Sequence, residues 1–580
     1  MDKLTDMTSV PPTPSASDFQ VDFKVLQESS SLFQSGPKWV WRRFVLQGQR
    51  LTMFDMIVTS PLMTIQLTTH VTLQPQSGHQ YLLQDNGKTI LTLFCPSRTR
   101  FLKFDSVLRL AASTPSWTRP LQPVFQELVD VATIIVETDQ ADAPLLSSNG
   151  PPNVTAAHVA TYVDHLKSVY DIVLALPTQT ALYEYLLQLE AAYLVDRGVR
   201  NFAHTVHMHY AVDYGRSRTD RTWIAAQDDY SVCPHTTCRR PVPPEIAFLV
   251  RVAGAAKACP GCGGTLSSEV FRLAAFRRDH PTVPHGRHNN VVQMPLLPPQ
   301  TSFKRYLNRV AETLQAQKVH SSDMEAINRT IVAYLQRLDL VAAMARHLVF
   351  ASIICGNAAY WRHPTVQAAS VVRYRHFCAL TNERKTRMAW MPTIDIALVR
   401  YAHQTTTKTP LSFFDLPSKE GYAAAYAETF LLWAETSPGP YSSFAPSYDA
   451  FVTSKAHNNI LKQPFLKKKW DTFHWVPSRD CRFVGVDEGS GQAIAVAVAV
   501  DAQNDTRDAP PTATEYVAVI GTPLMDNRVQ PPNEAAVIKG TRGGDVSIFD
   551  TIDPMSFYIA TDVGVHAVML FFMGLLSLFS

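Results

Sequence analysis

The sequence predicts a multidomain α+β protein, and three stretches of different texture along its 580 residues predict it. Short β-rich runs separated by turn signals fill the chain up to about residue 113. A helical apolar period takes over at Val154, and β-formers return after Asp480. The expected layout is a polar lead-in over 1–19, a β-meander closed by a helix over 20–135 and a linker over 136–153. A helical region with a zinc-binding insert follows over 154–300, then a second helical region over 301–479, a β-rich segment over 480–562 and an apolar tail over 563–580.

The meander rests on "VDFKVLQ", "KWVWRRFVLQG", "RLTMFD", "MTIQLTTHVTL" and "HQYLLQDNGKTILTLFC". Within the last of these, Asn86-Gly87 is a hairpin turn signal, because both central positions of a type I′ turn need positive φ. The linker is "TDQADAPLLSSNGPPN", rich in Pro, Ser and Asp. Beyond it, Val159, Tyr162, Leu166, Val169 and Val173 share one helical face, and Leu182, Leu186, Leu189 and Tyr193 mark a second helix. "MPLLPPQTS" punctuates the chain before a block with Ile327, Ile331, Tyr334 and Leu338 at helical spacing, for which Ser322 and Glu325 form a candidate capping box.

With 46% apolar and 18% charged residues the chain has material for several cores, which excludes disorder throughout. Its 53 basic and 50 acidic residues are well mixed, so no overall field marks a nucleic-acid binder. The opening "MDKLTDMTSVPPTPSASDF" has no apolar core of a signal peptide, and a cytoplasmic location is expected. From Val563 to Phe579 the tail is apolar apart from His566 and Ser577. At 1.5 Å per residue its helix would be about 26 Å long, at the lower limit for a bilayer, so a tail anchor competes with burial.

Four of the eight cysteines fall in two pairs, Cys233-x4-Cys238 and Cys259-x2-Cys262. Two short loops, each presenting two sulfurs, suit one tetrahedral zinc, and "CPGCGG" supplies small residues for a tight turn. Four protein ligands close the coordination sphere, so the expected zinc is structural. His235 is the alternative ligand for one of the cysteines.

"WVWRRFVL", following a strand that contains Lys24 and preceding "LTMFD", resembles the second strand of the pleckstrin homology domain, with Arg42, Phe44, Val45 and Leu46 in step. The resemblance implies a seven-stranded β-barrel capped by a helix, of a kind that docks on phosphoinositide headgroups or on proteins. The candidate lipid-binding residues are Lys38, Arg42, Lys24 and Arg43, because a polyphosphate needs several charge-assisted contacts in one place. Val40 and Trp41 stand where the family often has lysines. Trp39 and Trp41, if exposed, suit a headgroup layer or a protein surface.

"DLVAAMARHLVF", "VVRYRHF" and "MAWMPTIDIALVRYAHQ" together resemble the glycine-rich domain-containing protein-like family of plants and fungi, whose core has no known function. Asp339, Leu340, Val341, Arg346, Phe350, Arg373, Tyr374 and Phe377 fall in step with it, as do Pro392, Thr393, Asp395, Ile396, Leu398, Val399, His403 and Gln404. "CPGCGGTLSSEVFRLAAFRRD" looks like the cysteine-bearing segment of fungal members, so the resemblance runs over roughly 154–455. The family motif carries Trp-His-x-His and a second aspartate, where this chain has Arg400, Tyr401 and Ala397. Asp395 and His403 therefore read as motif remnants forming a buried hydrogen-bonded pair. "AHTVHMHY" offers His207-x-His209 as a diverged second copy.

No nucleophile elbow, phosphate loop, kinase set or His-Glu-x-x-His occurs. The expected function is a non-enzymatic adaptor or scaffold, cytoplasmic and peripherally membrane-associated, with anionic phospholipid headgroups or a protein as partner. The alternatives are a divergent metal-dependent hydrolase using His207, His209, Asp395 and His403, or an RNA-associated protein relying on the basic run "KQPFLKKKW". That run reads more simply as a solvated loop.

Overall fold

Alternation of apolar and polar residues builds seven antiparallel strands: β1 (Asp18–Gln27), β2 (Lys38–Gln47), β3 (Arg50–Asp55), β4 (Pro61–Gln66), β5 (Val71–Pro75), β6 (Gln80–Asp85) and β7 (Lys88–Phe94). In this computed structural model the described residues are 18–27, 38–55, 61–117, 124–142, 153–196, 201–210, 230–285, 290–299, 303–335, 337–383, 390–406 and 422–436. Short pieces at 441–442, 446, 481–482, 498–499, 519–522 and 524 complete them. Phe19, Val21, Phe23 and Val25 of β1 are all buried, so that every second residue enters the core. Asn86 (φ 50°) and Gly87 (φ 76°) make the β6–β7 turn, as their chemistry requires.

The strand order is β4-β3-β2-β1-β7-β6-β5. β1 pairs with β2 along its whole length and with β7 only at Lys24 and Val25. β4 and β5 are the two edges, so the sheet is open, which corrects the expected closed barrel. β4 exposes five of its six residues, Leu62 and Met63 among them, and a strand without a buried row has nothing to draw it round to the far edge. Helix α1 (Arg98–Ser113) covers the core instead, burying Phe101, Phe104, Val107 and Leu108. The Phe104 ring lies 5.0 Å from that of Phe23 and 6.1 Å from that of Phe19. Trp117, also buried, donates from its indole to the carbonyl of Gly48 at 2.7 Å.

Helix α2 (Val124–Asp142) runs into the stretch read as linker. Glu137 explains why: it accepts from Ser97 Oγ (2.7 Å), Thr99 N (3.1 Å) and Thr99 Oγ1 (3.2 Å), placing a carboxylate at the N-terminus of α1. Polar composition concealed a helix held by a remote contact.

The following helices are α3 (Ala156–Leu174), α4 (Gln179–Asp196), α5 (Phe202–His209), α6 (Pro244–Arg251), α7 (Ser268–Asp279), α8 (Phe303–Ala316), α9 (Ser321–Leu335) and α10 (Leu340–Cys355). After them come the single turn α11 (Ala358–Trp361), then α12 (Pro364–Glu383), α13 (Ile394–Thr406) and α14 (Tyr422–Thr436). Two small hairpins lie among them, β8 (Lys257–Ala258) with β9 (Thr265–Leu266) and β10 (Thr282–His285) with β11 (Asn290–Gln293). Before α9 it is His320 Nδ1 that accepts from Ser322 N at 3.4 Å, so Ser322 lies inside the helix and does not open a capping box.

The chain divides into two units, one of residues 1–163, 357–403 and 413–530, the other of residues 164–356, 404–412 and 531–580. In the second, Leu273, Phe276, Val292, Leu297, Tyr306, Val310, Ile327 and Ile331 form one apolar cluster. Of the expected β-rich segment, the described residues include one two-residue pair, β12 (Cys481–Arg482) with β13 (Val498–Ala499), and a turn at 519–522. The rest of that segment, the basic run 462–470 and the apolar tail 563–580 lie outside the described residues. Among the described residues no helix is long and apolar enough to cross a membrane.

Removing the ring at the centre of the first core is expected to be costly. Phe104→Ala should destabilise the sheet by about 3–5 kcal/mol, the usual range for a buried phenylalanine, read as a lower urea midpoint of near-ultraviolet dichroism.

Candidate metal centre

The two cysteine pairs sit on two short loops of the second unit. The first loop leaves an isolated bridge between Val232 and Pro241; the amide of Cys233 donates to the carbonyl of Arg240 (2.8 Å) and that of Cys238 to His235 (3.1 Å). Arg239 closes this turn with φ 51°. The second loop is the β8–β9 hairpin, where Cys259 N donates to the carbonyl of Gly264 and Gly263 N to that of Cys259, both at 2.8 Å.

Glycine is required in this loop for room. A Cβ on Gly261 would lie 2.5 Å from Arg240 Cδ and 3.2 Å from Cys238 Sγ, and one on Gly264 would lie 2.5 Å from His235 Cε1 and 2.7 Å from the carbonyl of Pro299. Gly263, at φ 68°, needs a conformation that side chains disfavour.

The result is that Cys233, Cys238, Cys259 and Cys262 bring their sulfurs within 4.8 Å of one another. Cys233 Sγ lies 3.9 Å from Cys262 Sγ, and Cys238 Sγ 3.8 Å from Cys259 Sγ. A tetrahedron of thiolates about 2.3 Å from zinc has edges of about 3.8 Å, so the sulfurs fit that ion. Zinc would supply a crosslink between the two loops. The Gly261 amide faces Cys259 Sγ at 3.4 Å. Burial opposes ionisation of Cys259, but the amides of Gly261 and Cys262 and the neighbouring thiols outweigh it and bring its pKa down to about 7. Burial pushes the Cys233 and Cys262 thiols up. His235, fully buried, stands beside the ligands with Nδ1 3.3 Å from Cys233 Sγ and 3.6 Å from Cys262 Sγ. It supports the sulfurs and replaces none of them.

The histidine motifs lead elsewhere. His207 is buried on α5 with Nδ1 2.9 Å from the hydroxyl of Tyr193, and His403 on α13 has Nδ1 3.0 Å from that of Tyr374. Aligned as copies, His209 matches His403, yet the hydrogen-bonding counterpart of His403 is His207. The His209 ring instead packs against that of His347 at 4.6 Å. Asp395 does not pair with His403, because the two stand at opposite ends of α13, eight residues or about 12 Å apart along the axis. Its partners are Arg373 Nε at 2.6 Å and the amide of Gly521 at 2.9 Å. Among the described residues, only the four cysteines bring three or more metal-ligating atoms together.

The candidate lipid-binding residues divide as follows. The Arg43 side chain is 1% exposed and salt-bridged to Asp22 at 3.0 Å. Arg42 meets Asp55 at 2.7 Å, and Lys24 Nζ lies 5.3 Å from the Trp41 ring and 5.5 Å from the Phe94 ring. Lys38 is exposed, whereas Trp39 and Trp41 are half-buried. Sequence reasoning did not single out Arg251, which is buried with Nη2 3.0 Å from Glu190 and Nε 2.9 Å from Asp339. The signal available for it was Glu190 within the apolar period of "YLLQLEAAYLVD".

Compared with known families, the model described as glycine-rich domain-containing protein-like (GRDP-like) matches residues 298–411. The match holds Asp339, Arg373, Asp395 and His403 and is shorter than the expected 154–455, so the cysteine loops precede it. The match does not reach the N-terminal sheet, and no curated protein or solved structure matches the chain.

Two measurements follow from this geometry. Cys259→Ser should lower bound zinc and the melting temperature of the second unit together, since metal binding and folding share one free energy; elemental analysis with calorimetry reads both. His347 is buried and its pKa is brought down to about 3, by burial first and by His165 second. The unfolded histidine protonates near pH 6.5, so the unfolded chain binds more protons between the two values. The stability that His347 contributes is therefore full above about pH 6.5 and is lost as pH falls toward 3. His347→Phe should make the melting temperature less dependent on pH across that window.

Proposed function

We propose that this protein is a non-enzymatic scaffold in which a zinc-stapled helical unit is joined to an N-terminal docking module of pleckstrin-homology type. The observation that carries the reading is the convergence of four cysteine sulfurs within 4.8 Å, a closed set that leaves zinc no position for water or substrate. The motif's ionic groups support it further, since Asp395 holds Arg373 and the motif histidine holds a tyrosine. A side chain held in an internal pair is poorly placed to move protons for a substrate.

For the N-terminal module, the strand order followed by a core-covering helix supports the pleckstrin-homology reading. The partner proposed for it is a protein. Three of the four candidate basic residues already have internal partners, and a polyphosphate headgroup needs several free cations in one concave place. The proposed location is the cytoplasm.

Vesicle sedimentation of the full chain tests the choice. Phosphoinositide vesicles should retain no more protein than phosphatidylcholine vesicles at low salt. Strong, salt-sensitive retention that Lys38→Ala removes would overturn the protein-docking assignment.

A further inference from the structure

Helix α13 opens with donors and acceptors that its own neighbours do not satisfy. Thr393, at the position before the helix, is where a side-chain oxygen ordinarily accepts from the first free amides. Here its Oγ1 accepts from Arg373 Nη2 at 3.2 Å. Asp395 gives one oxygen, Oδ2, to Arg373 Nε. The Ile394 amide and Asp395 Oδ1 are left facing outward from the helix start.

A turn from more than a hundred residues further along meets both. Thr522 presents its carbonyl to Ile394 N at 2.9 Å, and Gly521 its amide to Asp395 Oδ1 at 2.9 Å. The amide of Ile520 points at the Tyr360 hydroxyl at 3.4 Å. Val519 and Ile520 are 0% and 4% exposed, and Thr522 is 1% exposed.

The turn is shaped before it docks. Thr522 N donates to the carbonyl of Val519 at 3.0 Å, and Val519 N donates to Thr522 Oγ1 at 2.9 Å, so the four residues close on themselves. Gly521 has φ 81° at the third position, the type II arrangement that glycine favours. Such a unit loses little conformational freedom on docking.

We propose that the N-terminal corner of α13, formed by Tyr360, Ile394 and Asp395, is a peptide-recognition site, and that Val519–Thr522 is a latch of this same chain that occupies it. The ligand class is a glycine-containing type II turn with two apolar residues ahead of the glycine. A tethered latch binds intramolecularly, at an effective concentration set by its linker, so the same peptide added free competes poorly until the latch is disabled. The inference does not rest on the scaffold reading.

The test uses the full chain. Gly521→Pro removes the amide given to Asp395 and forbids positive φ, and a fluorescein-labelled peptide of residues 514–525, TEYVAVIGTPLM, is the probe. The variant should bind the probe about tenfold or more tightly than the parent does, as a vacated site requires. Hydrogen exchange at the Ile394 amide should quicken in the variant and slow again when the probe is added. Equal binding by parent and variant, no binding by a folded variant, or unchanged exchange at Ile394 would each overturn the proposal. Should Gly521→Pro fail to fold, Ile520→Ala, which keeps the turn and trims its apolar anchor, is read by the same two measurements.

Discussion

Arg251 lies with its guanidinium out of water between Glu190 and Asp339, and that arrangement constrains much of the second unit. A buried cation is tolerable only with its countercharges in place, so α6, which carries Arg251, and α4, which carries Glu190, must meet in one register. Asp339 adds the third helix, because the carboxylate that holds Arg251 also accepts from Ala342 N at 3.1 Å as the N-cap of α10. The Tyr230 ring covers the guanidinium at 4.8 Å. Arg251 outweighs burial at Asp339, with Arg272 assisting, and the acid is held below the usual carboxylate range. Removing Arg251 would leave two buried carboxylates without their shared cation, whereas apolar contacts alone would permit the helices to slide. The two cysteine loops flank α6, Cys238 six residues before it and Cys259 eight residues after it, and share the same unit, so the register set at Arg251 is the frame on which their sulfurs are presented.

What could be read in the sequence was whatever is encoded over short distances. The Asn86-Gly87 turn, the alternation in β1 and the paired cysteines each depend on a few neighbouring residues, and each has its expected form. The helical faces at Val159 to Val173 and Ile327 to Tyr334 belong to the same class, and their apolar positions are buried, whereas Leu338, expected on the second face, lies beyond the end of α9. What escaped reading depended on a distant partner. The last turns of helix α2 were read as linker because their reason is Glu137 meeting Ser97 and Thr99, and the open sheet turned on β4 and β5 standing at opposite edges. Arg42 and Arg43 looked like headgroup ligands until cross-strand register put Asp55 and Asp22 opposite them.

Three helix starts follow one theme that local capping rules do not anticipate. The N-terminus of α1 has its own Ser97 and also takes Glu137 from α2. That of α10 uses Asp339, which binds Arg251 as well. That of α13 has a threonine in the capping place whose oxygen is engaged by Arg373. In each case a group that could close a helix locally also fixes tertiary register, a second role that no local pattern encodes.

The charges buried at the start of α13 have a consistent electrostatic sense. Arg373 is buried with Asp395, Thr393 and the carbonyl of Tyr441 around its guanidinium, and Trp433 lies 5.1 Å from it. Its charge is matched by one carboxylate. Two residues from Asp395 on the same helix stands Ala397, 2% exposed. An ionised side chain there would need a further cation or a metal, because an uncompensated buried charge costs several kcal/mol, of order 3–5. Ala397 and Tyr401 offer neither a carboxylate nor an imidazole at these two positions of α13. The single remaining carboxylate keeps one oxygen for Arg373 and offers the other to a backbone amide. That division of Asp395 ties the start of α13 to two segments distant in sequence, Arg373 of α12 and the turn at Gly521.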